Sequence, residues 1–596
     1  MAQEQRIGSI LVADCGAVMT KAMLLDQVNG QYRFVAQGEA LTTTRHPWSD
    51  VAAGIRHAIE QISAVTGRRF LDGSANLISP ELSNRQGVDV FAATISASQP
   101  LQVVLGGLVQ DLSIASAERA AAGTYSQIRA ILDGGKRGTS SDKEHVRAIR
   151  DTSPDVVCIA GGTEGGADRP VLELVESTTL ACSMMEPEVR PLVLYAGNSQ
   201  LRRQVTEIVG EEAELRVADN VLPTLEGENL LNAQEELDAL YVQQKMGELP
   251  GIDTVSNWSP APITPTARAF GRLMQYLWHL GEPPDIVKGS KATPSSGILG
   301  VDVGAASTTV AAVFDGQLFL TVRGDLGVAF GGERLLQKQG TETITRWLPE
   351  PMDGNEARGF FINRAMHPTS IPQEPRELWL EQALTREAIR TTLQIARPGW
   401  RPGVAQPYSH LLPLFDTIVV SGGVLAHAPH PGQAALIVLD GLEPIGITTL
   451  VLDAHGLAPA LGNVAAVKPL AAVEALDGGG FINLATVITP IGEARPGDTV
   501  LRVQVTYDDD STFSVEVNYG DLEVLPLPPG QQAVLELHPR RGFDVGLGGP
   551  GKSGKRQVSG GLVGLIIDAR GRPLALSSDP QQSQAQVQQW LWDVGG

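Results

Sequence analysis

The amino-acid sequence predicts an α/β protein whose two related halves face one cleft, followed by an all-β C-terminal domain. Three observations carry this prediction. The first is a repeated hairpin: Ile298-Leu-Gly-Val-Asp302-Val-Gly304-Ala-Ala-Ser307-Thr308-Thr309 passes from an apolar strand through a small-residue turn into a second apolar strand, and Ile10-Leu-Val-Ala-Asp14-Cys-Gly16-Ala-Val-Met-Thr20-Lys21 does the same. Asp14, Gly16, Ala17 and Thr20 align with Asp302, Gly304, Ala305 and Thr308 at one constant offset of 288 positions. The second is a later pair of apolar strands ending in Gly-Gly, Asp155–Gly162 and Asp416–Gly423, at an offset of 261. Self-similarity of this kind is a fold-level signal. The third is a change of pattern after Gly478, from strands alternating with helices to strands alternating only at period two.

In chain order, residues 7 to 37 read as three strands, the last two joined at Asn29-Gly30, a dipeptide suited to a tight hairpin turn. Ser49 caps a predicted helix to about Val65, with Val51, Ile55, Ile59 and Ile62 at helical spacing. Short strands are predicted at Ala75–Ile78 and Gln102–Val104, and an Ala-rich helix over Ser116–Leu132. Ala160–Asp168 carries four glycines, which suits a strand-to-loop junction where something large approaches the backbone. Pro191–Asn198 opens another strand-loop-helix unit. Helices then dominate Glu226–Met246 and Thr264–Leu280, the latter with Thr264 as cap and Pro265 at the first helical position. Gly281–Gly297, with Pro283, Pro284 and Pro294, reads as a linker.

The second hairpin closes on an Asp315-Gly316 turn, and Gly331-Gly332-Glu333-Arg334 leads into a helix-compatible stretch. Residues 349–410 are Pro-rich around one helix, Arg376–Ala396. Strands are predicted at Val500–Thr506, Ser511–Asn518, Ala533–Leu537 and Leu562–Asp568. The expected divisions are 1–180 and 298–474 for the two halves, 181–297 for a connecting region, and 475–596 for the β domain. Within the last, Gly546–Ser553 matches the P-loop letter pattern. That motif needs a helix starting at its lysine. Gly554, Gly560 and Gly561 follow instead, so the stretch is read as a glycine-rich loop.

Composition excludes several function classes. The 67 acidic and 46 basic residues leave a net charge of −21, which argues against generic nucleic-acid or anionic-membrane binding. No uncharged apolar run reaches the roughly 18 residues of a membrane span. Asp14 interrupts the only N-terminal apolar core, so no signal peptide is read and a cytoplasmic location is expected. Cys15, Cys158 and Cys182 have no zinc or iron–sulfur spacing and fit a reducing compartment. His427-Ala-Pro-His430 has no usual zinc spacing, and no Gly-x-Ser-x-Gly or His-Glu-x-x-His occurs.

In the hairpins, Gly304 and its small neighbours would let backbone N–H groups approach phosphate, Thr308 could add a hydroxyl, and Asp302 could hold magnesium through water. The plain alternative is a turn alone. The paired Asp-x-Gly hairpins and the later Gly-Gly strand end resemble the actin, hexokinase and DnaK-type chaperone superfamily. Within it the sequence is similar to the MutL/GlmL family, accessory proteins found with coenzyme-B12-dependent glutamate (methylaspartate) mutase. The residues that carry the likeness are Asp14-x-Gly16-x-x-x-Thr20-Lys21, Ala160-Gly-Gly-Thr163-x-Gly165-Gly166, Val301-Asp302-Val-Gly304 and Gly324-Asp325-Leu326-Gly327, and it covers roughly 7 to 470.

The resemblance implies an actin-like ATPase fold whose halves close on ATP and Mg2+. Asp14 and Asp302 would be the catalytic and metal-ordering pair. Gly16 and Gly304 would cradle phosphates, with Thr20, Lys21, Ser307 and Thr308 in contact, Gly331, Gly332 and Glu333 approaching the nucleotide, and Gly422 and Gly423 beside adenosine. The implied partner is a subunit of a B12-dependent mutase, with homo-oligomers left open. Departures matter as well. Where the family reads Gly-Gly-Ala-Thr-Thr-Asp, this chain has Gly304-Ala-Ala-Ser-Thr-Thr309, and Ala17 and Val18 replace polar residues. A missing carboxylate and missing hydroxyls point to weak or absent ATPase activity. Three readings follow: an ATP-dependent chaperone or reactivase for the mutase, a non-catalytic scaffold or assembly protein with a degenerate pocket, and a small-molecule kinase, for which no general base can be nominated.

Overall fold

The computed structural model describes residues 8–135, 139–280, 297–400 and 408–595; the linker expected over 281–297 lies outside them except for Gly297, which begins a strand. The described residues form four sheets, of which two begin with the same topology. In the first, Ser9–Cys15 pairs antiparallel with Met19–Val28, which pairs with Gln31–Leu41; on its other side Ser9–Cys15 runs parallel to Val90–Ile95, and that strand to the short Thr264–Pro265. In the second, Gly297–Val303 lies between Thr308–Phe314 and Phe415–Ser421, flanked in turn by Gln317–Arg323 and Gly446–Asp453. Counted by sequence within each half, both orders are 3-2-1-4-5. This duplication is the actin-like ATPase fold. Its hairpins are set by turn chemistry, because Asn29-Gly30 and Asp315-Gly316 all take positive φ, the conformation of a two-residue turn between right-twisted strands.

The repeated Gly-Gly strand ends are not equivalent, however. Asp14 lies opposite Thr94 in the parallel ladder as Asp302 lies opposite Ser421, so Val90–Ile95 is the counterpart of Phe415–Ser421. Asp155–Gly162 belongs elsewhere. Its strand, Val156–Ile159, sits in a five-stranded parallel sheet inserted between Val90–Ile95 and Thr264–Pro265. In space that sheet runs Ser126–Asp133, Leu101–Gly107, Val156–Ile159, Leu192–Tyr195, Leu215–Val217, a doubly wound order of 2-1-3-4-5. Strands buried on both faces read as short apolar runs wherever they occur, which is how one of them mimicked a repeat.

Other local expectations shift for similar reasons. The Ala-rich helix stops at Ala121, and Ser126–Asp133 is a strand captured by its parallel neighbour. Ala75–Ile78 contributes only the Leu71–Leu77 bridge, while Val90–Ile95, fully buried and without alternation, was not foreseen. Asp50 rather than Ser49 caps the first helix, accepting from the Ala52 N–H at 2.9 Å. Thr264 and Pro265 are strand, and the helix they precede is Thr266–Leu280. No helix starts at Lys552; the next element is the strand Gly554–Ser559. No helix among the described residues is long and apolar enough to cross a membrane.

Helices Thr266–Leu280 and Ala458–Val467 cross beneath the cleft, where Leu273, Met274, Leu461 and Val464 are buried together. The crossing is close. A Cβ on Gly462 would lie 1.8 Å from the Ala269 carbonyl oxygen, and Asn463 Nδ2 donates to Ala93 O at 3.0 Å.

The C-terminal segment adds a four-stranded antiparallel sheet, Thr512–Asn518, Thr499–Tyr507, Gln532–Pro539 and Gly554–Ser559 in spatial order. It also lengthens the second half's sheet to eight strands through Phe481–Thr489, Gly564–Asp568 and Leu522–Leu525. Buried charges hold this junction. Arg570 donates to Asp568 and to Asp440 at 2.9 Å each, Arg572 to Asp568 at 2.6 Å, and Arg386 to Asp440 at 2.8 Å. The Arg570 guanidinium lies 4.4 Å over the ring of Trp590, on the terminal helix Pro580–Asp593. The two arginines hold Asp568 well below the usual carboxylate range despite its burial. Loss of Asp568 would leave the buried Arg572 without its carboxylate, and Arg386 and Arg570 with Asp440 alone. Asp568→Asn is therefore expected to cost about 3–5 kcal/mol, read as a shift in denaturant midpoint and as faster amide exchange in Pro580–Asp593.

Candidate functional site

Strand pairing decides which hairpin side chains meet. Residues opposite one another in an antiparallel pair share a face, and successive residues alternate. Asp14 is opposite Lys21 and Cys15 opposite Thr20; Asp302 is opposite Thr309 and Val303 opposite Thr308. The face bearing Asp14 and Lys21 meets the other half, because Lys21 Nζ reaches His455 O at 3.3 Å and lies against Gly456. Thr20 and Thr308 point the other way. Thr20 Oγ1 is 2.9 Å from Thr42 Oγ1, which donates to Gly16 O at 2.7 Å; Thr308 Oγ1 donates to Leu326 O at 2.6 Å. Both hydroxyls, expected to contact phosphate, instead brace their turns from behind. Thr309 is the hydroxyl on Asp302's face.

Three carboxylates converge where the halves meet. Asp14 Oδ1 accepts from Thr94 Oγ1 at 2.7 Å and from Thr266 Oγ1 at 2.8 Å. Burial raises its pKa against the pull of these bonds and of Lys21. Asp302 is pushed up to about 7, first by burial, then by the charges of Asp14 and Asp453, with Lys21 and Ser421 opposing. Asp453 accepts from the Leu457 and Ala458 N–H groups at 2.8 Å each and from Ser421 Oγ at 3.2 Å; it too is raised, chiefly by burial. Asp453, Thr94 and Thr266 were missed from the sequence. Asp453 stands in no motif, and Thr94 and Thr266 become visible only once the parallel register is known.

The turn tips offer donors. The Gly16 and Gly304 N–H groups are taken up within their own turns, by Met19 O and Ser307 O at 2.9 Å each. Among the described residues, nothing accepts from the N–H groups of Ala17, Val18, Ala305 or Ala306. The glycines thus shape the turns, and their neighbours present the donors. Segment 326–332 presses on the second tip: Val328 N donates to Gly304 O at 3.0 Å and Ala329 N to Ala305 O at 2.9 Å. A Cβ on Gly327 would sit 2.4 Å from the Ala306 carbonyl carbon, so this approach needs glycine. Gly331 packs on Gly327, Gly332 on Phe361, and Glu333 pairs with Arg358 at 3.0 Å. These three position the loop. Gly422, at φ 118, crosses tightly over the Val303 carbonyl, whereas Gly423 faces open space. Ser307 lines a cavity between the tips.

The donor set fits a hydrated magnesium ion. All candidate ligands are oxygens, and three buried carboxylates face one lysine, leaving negative charge that a divalent cation would offset. Among the described residues no three acidic, His or Cys side chains lie close enough to cage a metal directly. Asp14 and Asp302 would therefore hold the ion through its waters. The ion would neutralise phosphate charge, and the tip N–H groups would orient the phosphate oxygens.

The MutL protein family matches residues 10–478. Protein MutL of Clostridium tetanomorphum is 24% identical over 447 residues, covering 71% of this chain and 87% of that protein. Among solved structures, the chain is similar to a diol dehydratase-reactivating factor in nucleotide-free form, with TM-score 0.30 and 11% identity over 77% of this chain and 100% of that one. It is also similar to Porphyromonas gingivalis acetate kinase, with TM-score 0.24 and 11% identity over 77% of this chain and 100% of that one. At such scores these structural likenesses carry no argument about chemistry.

The acid cluster predicts a pH dependence. Asp302 rises from 3.8 to about 7 on folding, so across that interval the folded state binds a proton that the unfolded chain has released. Stability of the metal-free protein should then fall as pH rises between those values. Urea midpoints measured against pH should show the slope in the natural protein and a shallower one in Asp302→Asn, the remainder coming from Asp14 and Asp453.

Proposed function

The chain belongs to the MutL protein family, and from that premise we propose that it is a magnesium-ATP-binding accessory protein that reactivates a coenzyme-B12-dependent amino-acid mutase of the glutamate mutase type. The observation that supports this reading best is the convergence of Asp14, Asp302 and Asp453 beside two turn tips with free N–H groups. Nucleotide binding there would draw the halves together over the crossing of Thr266–Leu280 and Ala458–Val467, and the motion would be transmitted to the client enzyme. Phosphoryl transfer depends on positioning and charge neutralisation. Because Thr20 and Thr308 are occupied behind the turns, hydrolysis is expected to be slow.

That same occupation favours a second reading, a scaffold whose complexes are indifferent to ATP. One experiment separates the two. The purified protein is mixed with a glutamate mutase carrying inactivated cobalamin, and recovery of activity is followed with and without magnesium-ATP. The accessory reading expects recovery only with nucleotide, and its loss in Asp14→Asn. A stable complex that forms equally without nucleotide and restores nothing would favour the scaffold.

A further inference from the structure

The cavity at the hairpin tips has a charge opposite to that of the acid cluster. It measures about 220 Å³ and is walled by Ala17 of the first turn and by Ala306 and Ser307 of the second. Arg45 comes from the first half, Gln127 from the inserted sheet, and Asp325 and Arg334 from the second half. Among the described residues Asp325 is the one carboxylate in this lining, and two guanidinium groups share it: Arg323 at 2.8 and 3.1 Å and Arg334 at 3.3 Å. These cations and the hydrogen bond from Arg323 hold its pKa down, against burial. Arg45 is exposed, has no ion pair among the described residues, and lies 5.9 Å over the Phe330 ring. Three arginines against one carboxylate leave two positive charges in a chain whose net charge is −21.

The Arg334 guanidinium is oriented from behind. In the amide orientation that hydrogen bonding favours, the Gln127 oxygen accepts from its two Nη groups at 2.7 and 3.2 Å. Held by Asp325 at Nε and by Gln127 at both Nη groups, this guanidinium keeps one further N–H on each Nη for charge-assisted bonds with an oxyanion. The cavity is smaller than the about 300–1,000 Å³ typical of sites for drug-sized ligands, so it suits a compact guest rather than a nucleotide.

We propose that this cavity binds a small oxyanion between Arg45 and Arg334, next to the turn tips; its relation to a nucleotide's terminal phosphate rests on the function proposed above. Two sources share this chemistry. One is orthophosphate released from the nucleotide, and the other is a small carboxylate entering from solvent. In either case the guest touches both halves and the inserted sheet, so its arrival would bear on how the three sit together.

The test is calorimetric titration of orthophosphate, and separately of glutarate, into the full chain without nucleotide or magnesium. Saturable binding of either probe is expected, weakened about tenfold or more by Arg45→Gln. Arg45 is exposed and makes no ion pair among the described residues, so this variant should keep the fold. Tighter phosphate binding would assign the site to the hydrolysis product, and tighter glutarate binding to a carboxylate ligand. Absence of binding for both probes at millimolar concentration, or equal binding in Arg45→Gln, would overturn the proposal. An Asp14→Asn, Asp302→Asn protein should still bind the anion while losing magnesium-ATP, so failure of the nucleotide reading and failure of this one stay distinguishable.

Discussion

Two aspartates of like charge, each at the end of the first strand of its half, are brought toward one another by the packing of those halves, and a third, Asp453, joins them. Burial and mutual repulsion both disfavour three ionised carboxylates in such a place. The surroundings answer this with short-range donors: two threonine hydroxyls on Asp14, and two backbone N–H groups and a serine on Asp453. Lys21 reaches across from the first half as the one cation facing them among the described residues. The remaining negative charge would suit a hydrated cation, as the function proposed above requires. Much of the nearby structure follows, including the small residues at the turn tips and the glycine loop that presses on one of them.

The rest of the chain holds this meeting point in register. Gly462 lets two helices cross at backbone contact beneath the cleft, and Asn463 reaches across to the first half's sheet. Farther out, the C-terminal segment is tied to the second half by the Asp440, Asp568, Arg386, Arg570 and Arg572 network. Those ion pairs are buried and each carboxylate is shared by two arginines, so loss of a carboxylate would strand a buried positive charge. The segment is thus tied to the second half.

Much of this was legible in the sequence. Asp14 and Asp302 recur at a constant spacing within identical strand–turn–strand patterns, so the twin hairpins, and the fold they imply, could be read directly. The boundary between what faces the cleft and what braces the turns could not. It depends on strand parity at the turn: one position separates Thr308, turned inward to Leu326, from Thr309 on the face of Asp302. The inserted parallel sheet was hidden because Val90–Ile95 and Val156–Ile159 are both short, buried and without alternation, so pattern alone cannot say which sheet each joins. Asp453 was hidden because its role comes from three-dimensional convergence, with no motif around it.

The measurement that bears most directly on this account is a calorimetric titration of magnesium-ATP into the natural protein and into an Asp14→Asn, Asp302→Asn double variant. The account predicts saturable, magnesium-dependent binding that the double variant loses while remaining folded. Undiminished affinity in the variant, or no binding to the natural protein at millimolar ATP, would contradict it.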